Sequence, residues 1–166
     1  GAGYGMGAEK FGMQLKTFGF EVSEAEAQRI ISIYREANFK ISQVWRDANN
    51  MVKNLAKGRA MSFGKKGVIT VDAENTALIV PSGLRIFYPE LSGEKSEQGF
   101  EYTYKTRRMR SRLYGGKVIE NVCQAVARCI IGEQMLRIGK KYKVALTVHD
   151  SILCCVPDAD VPEAQA

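Results

Sequence analysis

The chain's only histidine, His149, stands beside Asp150. The apolar runs on either side, Val144 to His149 and Ile152 to Val156, read as two strands joined by a tight His149-Asp150-Ser151 turn. A carboxylate at a rigid strand end suits a divalent cation, because Mg²⁺ prefers a few fixed oxygens and keeps its remaining waters. One carboxylate does not make a two-ion phosphoryl-transfer site, which holds ions about 4 Å apart with acids from more than one element. Asp72, Glu74, Asp158 and Asp160 are candidates for a second ligand, and their spacing singles out none of them. Taken alone, a His-Asp pair is an ordinary surface turn.

A second feature is electrostatic. The thirteen residues from Lys105 to Lys117 read K-T-R-R-M-R-S-R-L-Y-G-G-K, with six basic side chains and no acid. The chain's net charge is +6, from 24 Lys and Arg against 18 Asp and Glu, so this one segment accounts for all of it. Concentrated positive charge favours a polyanion, since each phosphate neutralised releases condensed counterions. The alternative is a solvated loop or helix entry. The opening Gly1-Ala2-Gly3-Tyr4-Gly5-Met6-Gly7 could pass for a phosphate-binding loop, but it lacks the P-loop lysine and no strand precedes it. Its glycines suit equally a place where a base or backbone comes close. Cys123 and Cys129 would point about 120° apart on a helix, and Cys154 and Cys155 would face opposite sides of a strand. Neither pair has zinc-site spacing, and the four read as reduced thiols, mostly small core residues of a cytosolic protein.

Several elements must position these residues. Ala8 to Lys16 reads as a short helix and Phe18-Gly19-Phe20 as a turn. Ser23 with Glu26 forms a capping box. Beyond it Ile30, Tyr34, Ala37, Ile41, Val44, Ala48, Met51 and Leu55 recur at steps of four and three. The spacing predicts one long helix, or two with a break near Asn38, ending at Gly58 with the stripe in the core. Ala77 to Val80, Leu84 to Tyr88 and Phe100 to Thr106 are strand-like, separated by Pro81-Ser82-Gly83 and Ser92-Gly93-Glu94 as turns. A second long helix is expected over Lys117 to Ile138, with a small-residue seam at Ala125, Cys129 and Gly132.

The chain has 166 residues, 45% hydrophobic and 25% charged, enough for one domain or part of a larger one with a sizeable core. No apolar run approaches the roughly 20 residues of a membrane-spanning helix. The first residues carry neither an initiator Met nor a signal-peptide pattern, so the chain is expected to be cut from a longer one.

These features align with one family. The chain resembles the C-terminal half of the polymerase domain of family A DNA polymerases, most closely the bacteriophage-type branch. Gly1-Ala2-Gly3-Tyr4-Gly5 is similar to the end of the family's fingers-helix motif Lys-x-x-x-Phe/Leu-Gly-x-x-Tyr-Gly, and Val148-His149-Asp150 to its palm motif Val-His-Asp-Glu. Pro81-Ser82-Gly83-Leu84-Arg85, Tyr114-Gly115-Gly116-Lys117 and the run from Glu120 through Gln124 to Arg128 resemble segments of phage members. Order and spacing agree over nearly the whole chain.

The resemblance implies an α+β fragment of a right-hand polymerase. Residues 1–58 would be fingers helices, 59–116 a β-rich middle with the basic stretch, and 117–166 the palm helix and metal-site hairpin. Asp150 would bind two catalytic Mg²⁺ ions with an aspartate of an upstream motif that this chain lacks, and His149 would lie beside the primer's terminal phosphodiester. Gln124 would meet the minor groove near the primer end, and Tyr4 and Gly5 would sit by the templating base. Arg107, Arg108, Arg110 and Arg112 would hold the duplex backbone. The implied partners are primer-template DNA, deoxynucleoside triphosphates and the rest of the polymerase chain, in the cytoplasm of an infected bacterium, with no membrane. The fingers-motif lysine and aromatic are absent too, so the chain alone is expected not to polymerise. Ser151 stands where Glu is common, and Cys129 where Asp often follows Ala-Arg. A His-Asp-Ser form also occurs in single-subunit phage-type RNA polymerases, the nearest alternative. A non-catalytic nucleic-acid-binding module is the alternative of another class.

Overall fold

The computed structural model describes residues 3, 5–96 and 99–164. These divide into two compact units, residues up to Cys123 and residues from Gln124 onward. The boundary falls inside a helix that the sequence presents as one continuous element.

The first unit opens with three helices, α1 (Ala8–Thr17), α2 (Glu24–Ala37) and α3 (Phe39–Leu55). The Ser23 hydroxyl accepts from the Glu26 amide at 3.2 Å and starts α2, as the capping box predicts. Asn38 is the break between α2 and α3. The helical stripe is only partly interior. Ala48, Met51 and Leu55 are buried, but Ala37, Ile41 and Val44 are exposed. The expectation of a continuous core stripe is therefore corrected at its middle, where α2 hands over to α3.

A four-stranded antiparallel meander follows, β1 (Ser62–Phe63), β2 (Ile69–Asp72), β3 (Ala77–Ile79) and β4 (Arg85–Phe87), in that order across the sheet. Alternation puts Ile69 and Val71 inside and Thr70 outside. Ala48, Met51, Val52 and Leu55 of α3 form the core with Ile69, Val71, Leu78, Val80, Tyr88, Leu113 and Val118. A second antiparallel sheet has the order β5 (Ser92–Ser96), β6 (Gly99–Lys105) and β7 (Arg110–Leu113). Ser92-Gly93-Glu94, expected as a turn, instead lies within β5, with Gly93 paired to Tyr102.

Helix α4 (Gly115–Ile138) begins against α3. The Asn49 side chain accepts from the Gly115 amide. A Cβ at Gly115 would collide with the Trp45 carbonyl, so the close backbone approach occurs here. Beyond the backbone of its own helix, no heavy atom lies within 4 Å of a Cβ built at Gly132, where the sequence suggested a packing seam. Six residues after Gly115, the Asn121 amide donates to the hydroxyl of buried Tyr88 at 3.1 Å. Burial pushes that phenol up to about 12.

The second unit comprises the rest of α4, the hairpin β8 (Lys143–Val148) and β9 (Ser151–Cys155), and a short α5 (Val161–Ala164). Lys141 and Glu163 pair, and the carboxylate's hydrogen bond raises the ammonium's pKa. None of this unit's described residues is buried. The cysteines, expected mostly in a core, are in no disulfide, with Cys123 and Cys155 exposed and Cys129 and Cys154 half-buried.

Candidate active site and nucleic-acid interface

In the second unit, Val148 pairs with Ser151, leaving His149 and Asp150 as a two-residue hairpin turn. His149 has φ 54° and Asp150 is not among the positive-φ residues, the sign pattern of a type II′ turn, whose first central position favours glycine. Both side chains are exposed. A register shift between Val144 and Leu146 interrupts the ladder behind the turn. Asp150 is thus an exposed carboxylate at the tip of the hairpin. It supplies one ligand of the kind Mg²⁺ takes, and among the described residues no three His, Cys, Asp or Glu side chains gather into a metal site. Asp72, in the first unit, is committed elsewhere. Arg85 donates to it at 2.8 Å and Asn75 at 2.9 Å, and those bonds hold its carboxyl below the ordinary range. Gln124 lies exposed on α4 in the second unit.

The first unit contains a cleft of about 770 Å³. Gly5, Arg112, Tyr114 and Lys117 line it, together with Lys10 of α1, Asn49 of α3 and the strand residues Phe100, Glu101 and Tyr102. Gly5 has φ 87°, a conformation that glycine adopts freely, and a Cβ there would lie 3.8 Å from the Tyr114 ring. Tyr4 lies outside the described residues. Arg112 pairs with Glu101 at 2.9 Å. Lys117 pairs with Glu120 at 3.0 Å, and that hydrogen bond raises the ammonium's pKa.

The four predicted arginines differ in what occupies them. Arg107 and Arg108 are exposed in the β6–β7 turn, and among the described residues they enter no hydrogen bond or ion pair. Arg110 donates to the Glu90 carbonyl, the Ser92 hydroxyl and the Thr103 carbonyl and hydroxyl, at 2.7–3.0 Å, and so ties β7 to β6 and β5. The structure thus brings Gly5 and Arg112 into one cleft and His149 and Asp150 into one turn. Lys10 and Asn49 were missed as cleft residues, because each sits on a helix with no motif around it. The alternation Phe100-x-Tyr102-x-Tyr104 was a visible signal for the aromatic strand face.

The chain is 29% identical over 155 residues to a DNA polymerase of Bacillus phage SP02, in a match that covers 87% of this chain. The chain is related to a phage DNA polymerase. It spans about a quarter of that relative's length, 24%. No family model matches the chain, and no solved structure matches it.

Proposed function

We propose that this chain is the C-terminal fingers and palm portion of a family A, DNA-directed DNA polymerase, acting in phage genome replication. The observation that carries the reading is the similarity to the phage DNA polymerase over most of the chain, together with a hairpin that puts Asp150 at its tip. In this reading Asp150 is one of two aspartates that hold Mg²⁺, the other lying in a segment upstream of this chain. When bound, Mg²⁺ would neutralise charge on the reacting phosphates. The residues of this chain bind and orient. Asp150 presents a carboxylate oxygen, His149 flanks the primer's terminal phosphodiester, and Gln124 donates to a base edge in the minor groove. Gly5 would leave room for the templating base, and Tyr4 would sit by that base. Arg107, Arg108 and Arg112 meet backbone phosphates and carry no sequence preference, as template-directed synthesis requires.

The reaction is attack of a primer 3′ hydroxyl on the α-phosphorus of a nucleoside triphosphate, with pyrophosphate leaving. The test is incorporation by the longer polymerase chain on a primed DNA template, with deoxynucleotides and ribonucleotides supplied separately. Primer-dependent incorporation of deoxynucleotides is expected. Primer-independent incorporation of ribonucleotides would favour the single-subunit RNA polymerase, the reading that Ser151 after His149-Asp150 keeps open. No incorporation of either would leave a nucleic-acid-binding module.

A further inference from the structure

Phe100, Tyr102 and Tyr104 alternate along β6 and so share one face of its sheet. The row runs from core to solvent. Tyr104 packs edge-on against buried Tyr88, with centroids 5.2 Å apart. Phe100, at the other end, is 62% exposed, so its ring is open to a ligand. Phe100 and Tyr102 contact each other, with centroids 5.3 Å apart and planes at 62°. Both lean across Gly93 of β5. A Cβ there would approach Tyr102 Cε1 to 2.8 Å and Phe100 Cζ to 2.9 Å, so the missing side chain is what lets the rings lie over the strand.

Two lysines lie near the rings. Lys95 lies directly across the ladder from Phe100, on the same face. Phe100 and Tyr102 are among the residues lining the cleft that also holds Lys10 and Lys117, whereas Arg112 and its partner Glu101 lie on the other face of the sheet from the rings. Its acids Glu101 and Glu120 are paired with Arg112 and Lys117, while among the described residues Lys10 and Lys95 enter no ion pair.

We infer that Phe100, backed by Tyr102 and flanked by Lys95 and Lys10, is a stacking platform for an unpaired base of a single-stranded nucleic acid. Two rings near two lysines suit a strand that offers a π-face and a phosphate with every nucleotide. An aliphatic protein surface would match the rings and leave the lysines unanswered. The inference deepens the proposed function by giving the template a contact beyond its paired region.

The test is titration of the whole chain with a labelled oligothymidylate and, separately, with a labelled DNA duplex. Phe100→Ala should weaken oligothymidylate binding about tenfold, the loss of one base–aromatic stack, with duplex binding unchanged. Phe100→Trp should restore it and Phe100→Leu should not, because leucine keeps apolar area without a π-face. Single-strand affinity unchanged in Phe100→Ala, or fully kept in Phe100→Leu, would overturn the platform. So would a failure of the unaltered chain to bind oligothymidylate, or a loss of self-association in Phe100→Ala with DNA affinity intact. Duplex binding in the parallel titration judges the proposed function separately. A chain that binds duplex but not oligothymidylate loses only the platform.

Discussion

His149 holds φ 54°, a left-handed backbone that costs a side-chain-bearing residue about 1 kcal/mol relative to glycine. His149→Gly should therefore stabilise the hairpin by about 1 kcal/mol, read as a rise in melting temperature, while reducing nucleotide incorporation by the longer polymerase chain. A fall in melting temperature would show that the imidazole makes contacts that outweigh the strain. The His-Asp-Ser turn itself was legible from sequence, because apolar strands flank it and the chain has no other histidine. The unusual backbone was not legible, since nothing in residue type announces a histidine where glycine is favoured.

At the scale of elements, charge and glycine obscured two strands. Gly93 between Ser92 and Glu94 looks like punctuation, yet its missing side chain serves the two rings that cross β5. Strand β7, R-S-R-L, was hidden among arginines, and Arg110 is one of the side chains that hold its sheet together. The segment Lys105 to Lys117 is therefore an exposed turn, a strand and a helix entry, and its arginines should separate on mutation. Replacing Arg107 and Arg108 with Ala should lower the slope of log affinity for duplex against log salt by about 2, one phosphate for each. Arg110→Ala should instead cost folding stability, about 1–2 kcal/mol for its lost hydrogen bonds. An unchanged slope in the double mutant would make the Arg107–Arg108 turn a solvated loop. The capping box at Ser23 and the break at Asn38 were readable because their signals are local. The exposure of Ile41 and Val44 was not, because periodicity marks an apolar face without saying how much of it finds a neighbour.

For the whole molecule, the first unit has a core built from α3, the meander and the start of α4, whereas none of the second unit's described residues is buried. Leu146, Val148 and Leu153 of the hairpin are each about half exposed, at 47%, 56% and 56%. The hairpin that bears Asp150 thus rests on backbone pairing, with little apolar burial behind it. The related phage DNA polymerase is about four times as long, and the account assigns the second catalytic aspartate to sequence outside this chain. That assignment could not be read from spacing. Asp72, Glu74, Asp158 and Asp160 were equally eligible, and Arg85 and Asn75 have since claimed Asp72.

The measurement that bears most directly on the account is primer extension by the longer polymerase chain carrying Asp150→Asn, alongside its affinity for primer-template duplex. Asparagine keeps the shape and removes the charge that would hold the cation. Several kcal/mol of transition-state stabilisation corresponds to a rate loss of about a thousandfold or more. The account predicts that loss, with duplex affinity largely unchanged. Extension at an undiminished rate would contradict it, because Asp150 would then hold no catalytic ion.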